Sequence, residues 1–436
     1  MAQRDHFATR LGFVLAAAGS AVGLGNIWKF PFMTGQNGGG AFLVLYMVFV
    51  LTIGLSVMLA EFAIGRAGQR NPVGSFRVLK GGAWPAAGGL GVIAGFVILS
   101  FYSVVGGWTL AYALKSVSGA LASNDPKVLG AAFGTFIADP LDVIGFHTAF
   151  MVLTLVIVAG GVRHGIERAA RILMPVLALL VIVLAVRAVT LDGAAKGIAF
   201  FLTPDFSKVT WNTVNAALGQ AFFSLSLGMG TMITYASYLN RQVNLPKTAA
   251  QVTLLDTGFA VIAGLMILPA VFAFGFDPAV GPGLTFITLP AVFAQMPAGA
   301  LFSFLFFTLL AIAALTSAVS IIEPVVSYLI DERKLSRRIA TWGAGAVTWT
   351  LGVPSALSLG PWKDITIGGK GILDAVDYLA SNIMLPLGGI LIALFVGWSV
   401  AARAVDEAQS GGDHPFALAR VWIFICRFVA PAAVAW

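Results

Sequence analysis

The sequence predicts an all-α integral membrane protein with eleven transmembrane helices. Three observations predict it. Apolar residues make up 58% of the 436 positions and charged residues only 10%, where a soluble domain carries about a quarter charged. Apolar runs of about 20 residues, the length of a membrane-crossing helix, recur from end to end. The connections between them are short, so no soluble domain has room to fold separately.

The eleven segments, numbered in chain order, fall at 12–34, 40–64, 86–122, 140–160, 165–190, 212–238, 248–276, 300–330, 338–360, 372–402 and 416–435. Segment 1 starts behind Arg4, Asp5, His6 and Arg10. A cleavable leader is not expected, because "GSAVGLGN" runs into more helix and not into a cleavage site. That run also holds helix breakers and Asn26 at membrane depth. Segment 5 begins "GIERAARILMP", with Gly165 and Pro175 ten apart, which leaves two readings: first turns that unwind, or a static Pro kink. Segment 6 is interrupted midway by "FFSLSLGMG". Between segments 7 and 8 lies "PGLTFITLPAVFAQMP", a Pro-bounded stretch too short to cross, expected as an outer cap helix. Segment 8 contains "LTSAVSIIEP", a third place where polar atoms and a proline sit deep in an apolar run.

Most of the 26 Lys and Arg flank the N-terminal side of segment 1 and follow segments 2, 4, 6, 8 and 10. The positive-inside rule then puts the N-terminus in the cytoplasm and the C-terminus outside. The net charge of +7 is accounted for by this topology. Its basic residues are split among short loops, which gives nucleic-acid binding no support. The single Cys426 excludes a disulfide framework and a thiolate metal site. The four histidines, His6, His147, His164 and His414, lie near segment ends and away from the breaks, so enzyme chemistry has no constellation to use.

Segments 1 and 6 each open a five-helix set. Interrupted segments at matching places in two halves point to a transporter site near the bilayer midplane. The expected architecture is a 5+5 inverted repeat: residues 1–190 and 191–402 as the two halves, with 403–436 as segment 11. An unwound stretch exposes carbonyls at one helix end and amides at the next. The carbonyls suit a hard cation; the amides, with the helix dipole, suit a carboxylate.

These residues carry a family resemblance. "RDHFATRLGFVLAAAGSAVGLGNIWKFPF", "NGGGAF", "TPDF", "GQAFFSLSLGMGTMITYASY", "ALTSAVS" and "DERKLSRR" together resemble the neurotransmitter:sodium symporter family, whose members have the leucine-transporter fold. The resemblance implies sodium-coupled amino-acid uptake by alternating access in a bacterial inner membrane. It implies two sodium sites. One uses carbonyls of Gly19, Val22 and Ala313 with hydroxyls of Thr316 and Ser317. The other uses the Ala21 carbonyl, Asn26, Ser224 and the substrate carboxylate, with Asp256 where relatives have an Asn. This fixed negative charge is expected to replace the chloride that many animal members require.

The resemblance also implies the substrate contacts. The Gly23 and Gly25 amides and the Tyr102 hydroxyl take the carboxylate. Carbonyls of Ala21, Phe223 and Ser226 take the amino group. Val22, Ile98, Phe223, Met229, Ser317 and Ile321 surround the side chain. That pocket is apolar but for one hydroxyl, and Met229 adapts to bulk, so a neutral hydrophobic amino acid, aliphatic or aromatic, is expected. Relatives that carry amines have an Asp at the position of Gly23. Lys29 and Asp377 form the expected outer gate, where relatives have an Arg and the pair is bridged by water. Arg4 with Asp331, beside Phe7, Ser237 and Tyr238, forms the inner one. A membrane sensor with the same binding site is the alternative, and paired gates on both sides argue against it. The partners expected are the amino acid and membrane lipid; the oligomeric state stays open.

Overall fold

A computed structural model gives the fold and describes residues 6–281 and 283–435. Among the described residues seven helices are long and apolar enough to cross a membrane: Gly40–Gly68, Pro85–Val117, Pro140–Ala159, Val162–Val189, Leu245–Ala273, Gly299–Arg333 and Ile372–Ser399. They match segments 2, 3, 4, 5, 7, 8 and 10. Segment 1 is a bent pair, Arg10–Ala21 and Gly25–Gln36, meeting at 47°. Segments 6, 9 and 11 are helical but fall short in length or apolarity. Segment 6 is Trp211–Ser224 and Thr231–Ala236 with irregular chain between. Segment 9 is Arg337–Leu357, long enough but less apolar. Segment 11 runs from Ala419–Phe424 to Ala430–Ala435. The stretch between segments 7 and 8 forms the short apolar helix Leu284–Ala294.

Helix starts follow local chemistry. The Thr9 side chain accepts from the Gly12 amide, Asn71 from Gly74, and Asn244 from Lys247, each meeting an amide that the first turn leaves orphaned. A short hairpin, Thr366–Ile367 against Lys370–Gly371, turns through Gly368 and Gly369, both at positive φ. Helices Pro85–Val117 and Gly299–Arg333 are the most enclosed, with 72% and 78% of their apolar windows buried. They form the centre against which the broken helices pack. Helices Pro140–Ala159 and Val162–Val189 lie at the periphery, at 39% and 33%.

Two further stretches that carry helix breakers are continuous in the structure. Segment 8 is a single unbroken helix of 35 residues through "LTSAVSIIEP". Its hydroxyls bond back to their own helix: Thr316 Oγ1 to Ala313 O at 3.0 Å, Ser320 Oγ to Ser317 O at 2.7 Å and Ser327 Oγ to Pro324 O at 3.0 Å. Polar side chains satisfied this way leave the ladder intact. The start of segment 5 does not unwind here either. Val162–Glu167 forms a wide turn that runs into Arg168–Val189, and Pro175 is absorbed inside the helix.

Candidate functional site

The chain leaves helical geometry at Val22, with φ −74° and ψ 97°. It resumes at Gly25. In between, Asn26 folds back so that its Oδ1 accepts from the Gly23 amide at 3.2 Å. The Leu24 amide donates to the Tyr102 hydroxyl at 3.3 Å. So the sequence supplies its own caps across the gap: an Asn three residues on, and one hydroxyl from the central helix. One amide expected to hold a substrate carboxylate, that of Gly23, is thus held by Asn26 in this conformation.

The break in segment 6 is longer and is stabilised from outside. Ser226 and Gly228 lie at φ 54° and 84°. A non-glycine residue in that region is uncommon, and Ser226 is fixed there by its hydroxyl, which donates to Ser20 O at 2.9 Å. A Cβ on Gly228 would lie 2.3 Å from Leu385 O, so only glycine fits. The Gly228 amide is capped by Glu61 Oε1 at 2.8 Å, and the other oxygen of this buried carboxyl has no partner among the described residues. Serine 226 and segment 1 therefore touch: the two breaks meet.

Two oxygen clusters flank the first break. On one side Asp256 is fully buried and gathers three groups. Asn26 Nδ2 donates to its Oδ1 at 2.7 Å, Ser224 Oγ to its Oδ2 at 2.8 Å and Tyr46 Oη to its Oδ2 at 3.3 Å. Asn26 Nδ2 also reaches Ser224 Oγ at 3.0 Å, and Gln220 Nε2 donates to Gly25 O at 2.7 Å. On the other side Ser317 Oγ donates to Ser20 O at 3.0 Å and stands 3.4 Å from Gly19 O. Thr316, Ala313 and Gly19 face this second cluster: a Cβ built on Gly19 would touch Thr316 Cβ at 3.4 Å. The donors are hydroxyls, carbonyls, amide oxygens and one carboxylate, a set that fits a hard cation and not a transition metal.

Above the breaks is a cavity of about 230 Å³. Leu24, Lys29, Tyr102, Phe223 and Asp377 line it. Lys29 Nζ sits 4.2 Å from the centre of the Phe223 ring, a cation–π contact. Asp377 accepts from Ser381 Oγ at 2.8 Å. The expected outer pair thus shares one cavity. Val22, Ile98, Met229 and Ile321 lie in the continuous buried core and do not line that cavity; Ser317 is buried beside Gly23, whose added Cβ would meet its Oγ at 2.3 Å.

On the opposite side Asp331 accepts from Asn71 N at 2.7 Å and Asn71 Nδ2 at 3.2 Å. Arg4 lies outside the described residues. Phe7 packs edge-on against Phe13, Tyr235 and Tyr238. Ser237 Oγ donates to Thr234 O at 2.6 Å. Tyr238 Oη donates to Glu323 Oε1 at 2.7 Å, and Arg337 donates to Glu323 Oε2 at 2.6 Å. Sequence reasoning missed Glu323, Arg337, Asn71, Tyr46, Gln220 and Glu61. Glu61 and Glu323 did leave a signal, since each is a lone carboxylate inside an apolar run.

Two interrupted helices, meeting at buried oxygens beneath a cavity, are the arrangement of an ion-coupled membrane transporter. The model of the sodium:neurotransmitter symporter family matches residues 4–128 and 142–435, and the chain belongs to that family. It is 41% identical over 430 residues to an uncharacterized sodium-dependent transporter of Bacillus subtilis, YhdH, covering 98% of this chain and 95% of that one. It is 26% identical over 489 residues to the human sodium- and chloride-dependent GABA transporter 2, covering 99% of this chain and 79% of that one. The crystal structure of MhsT in complex with L-phenylalanine superposes with a TM-score of 0.92 at 47% identity, covering 99% of this chain and 98% of that one. The chain is therefore a multi-pass membrane protein of a sodium-dependent symporter family, and its family is one of transporters and not of enzymes.

Proposed function

We propose that the chain imports neutral hydrophobic L-amino acids with sodium, by alternating access, independently of chloride. The observation that carries this is the fully buried Asp256 cluster against the first break, with Asn26 joining carboxylate and broken backbone. Asp256 fixes one negative charge beside the proposed first sodium, where Asn26, Ser224 and the Ala21 carbonyl are ligands. The second sodium uses the carbonyls of Gly19, Val22 and Ala313 with Thr316 and Ser317. Substrate binding turns the Asn26 oxygen from the Gly23 amide toward the ion and frees that amide for the substrate carboxylate, with Gly25 and Tyr102. Ala21, Phe223 and Ser226 carbonyls take the amino group. Val22, Ile98, Met229 and Ile321 make the side-chain pocket, closed above by Phe223. The phenylalanine bound in the MhsT structure supports the class of substrate.

The reading extends to the frame. Eleven crossings, with segments 6, 9 and 11 included, form the two inverted halves 1–190 and 191–402 plus segment 11 in 403–436. The membrane is the bacterial inner one, with the N-terminus cytoplasmic. Lys29 and Asp377 close the outside; Arg4 and Asp331 close the inside. Uptake of radiolabelled amino acids into proteoliposomes under a sodium gradient, with chloride replaced by gluconate, tests the proposal. Hydrophobic amino acids are expected to compete, and tryptamine is not. Binding without uptake would make the chain a sensor.

A further inference from the structure

Segments 10 and 11 part at one end to leave a groove of about 870 Å³. Phe416, Ile423, Phe424 and Phe428 line it, together with Arg420 and Arg427; no carboxylate is among its lining side chains. The two arginines are seven residues apart on one helix, so they share a face about two turns, or roughly 10 Å, apart. Arg420 is exposed and makes no hydrogen bond or ion pair among the described residues. Arg427 is half-buried within segment 11. Its Nε donates to Gly397 O at 2.9 Å and its guanidinium lies 4.9 Å over the Trp398 ring. Arg427 also lines the groove, and among the described residues its Nε is the one guanidinium nitrogen with a hydrogen bond. Phe424 and Phe428, both exposed, lie beside it with ring centres 5.4 Å apart and planes tilted by 54°.

An arginine inside a membrane segment usually pairs with something. A guanidinium fork matches phosphate oxygens, and basic pockets between membrane helices on the cytoplasmic side suit anionic headgroups. We propose that this groove seats one anionic phospholipid: its phosphate lies between Arg420 and Arg427, and an acyl chain runs over Ile423, Phe424 and Phe428. The charge complementarity is one-sided, since two cations face the groove and nothing acidic does. The proposal depends on the membrane placement of segments 10 and 11 and not on which substrate is carried.

The test uses the full chain, purified and delipidated in detergent. Phosphatidylglycerol, phosphatidylcholine or inorganic phosphate is added, and bound lipid is counted by native mass spectrometry alongside the thermal midpoint. One phosphatidylglycerol is expected to stay bound and raise the midpoint, with neither of the other additives doing so. Arg420→Gln and Arg427→Gln are each expected to weaken retention about fivefold, and Arg420→Lys to keep it. Should Arg427→Gln unfold, the exposed Arg420→Gln carries the same reading. Equal effects from phosphatidylcholine or free phosphate would overturn the proposal. So would unchanged retention in the double variant, or a dimer that covers this face without lipid.

Discussion

The two oxygen clusters beside the first break are built on opposite plans. The Asp256 cluster is built on a carboxyl group, and three side chains from three other helical elements are already turned toward it. The Thr316–Ser317 cluster is neutral, and its hydroxyls are engaged with carbonyls of their own helix or of segment 1. A pre-gathered carboxyl site keeps its shape without an ion and feels a lost side chain strongly. A neutral one is assembled by rotating hydroxyls and responds more gently. The difference separates where affinity is set from where release is easy.

The largest expected effect comes from removing the charge. Asp256→Ser strips the carboxylate from three donors, and hydrogen bonds to a charged group contribute about 1.5–3 kcal/mol. Apparent sodium affinity is expected to fall about a hundredfold, at about 1.4 kcal/mol per tenfold, and the residual uptake to gain a requirement for chloride. An unchanged sodium dependence would break the contrast at its root. Gly23→Ala acts between the clusters. The added Cβ lies 2.3 Å from Ser317 Oγ and 3.0 Å from the Tyr102 hydroxyl. Overpacking of about 1–3 kcal/mol weakens substrate binding roughly tenfold to a hundredfold, measured by equilibrium binding of labelled amino acid at saturating sodium. If sodium affinity fell in step, the substrate and neutral ion sites would not be separable.

Thr316→Val keeps the shape and loses one oxygen from the neutral side. An unfilled place costs about 1–3 kcal/mol, so a roughly tenfold loss of apparent sodium affinity is expected, ten times gentler than at Asp256. Uptake with an unaltered sodium curve would return Thr316 to a packing role. Lys29→Gln lies outside both clusters; it removes a ring contact of about 0.5–1 kcal/mol and the cation that shares the cavity with Asp377. Its KM for substrate is expected to rise about two- to fivefold with no change in sodium affinity.

Glycine decides which of these features could be read beforehand. The breaks in segments 1 and 6 contain Gly23 and Gly25, and Gly228 and Gly230, and both are interrupted. Segment 8 carries the same kind of hydroxyls and a proline, yet Gly299 is its one glycine, and it stays helical. Polar content alone therefore does not predict a break; in segment 6 Gly228 and Gly230 take positive φ, and in segment 1 Gly23 admits the close approach of Ser317 and Tyr102. The residues of the clusters on segments 1, 6 and 8 stood together in motifs. Tyr46, Gln220 and Glu61 did not. Each is a single polar side chain whose partner lies on another segment, and only packing brings them together. Segments 6, 9 and 11 show the same limit at the level of composition, since broken or polar helices weaken the signal that marks a crossing.

The unbroken helix Gly299–Arg333 has a mechanical consequence. Its 35 residues extend about 50 Å, beyond the roughly 30 Å hydrocarbon core. Thr316 near its middle, Glu323 a turn or two on, and Asp331 near its end are marks on one ruler. The helix runs unbroken through Pro324, so the three marks keep their order along one element. A stroke of segment 1 that parts Gly19 from Thr316 is registered at the far marks as a shift of its N-terminal end past Glu323 and Asp331.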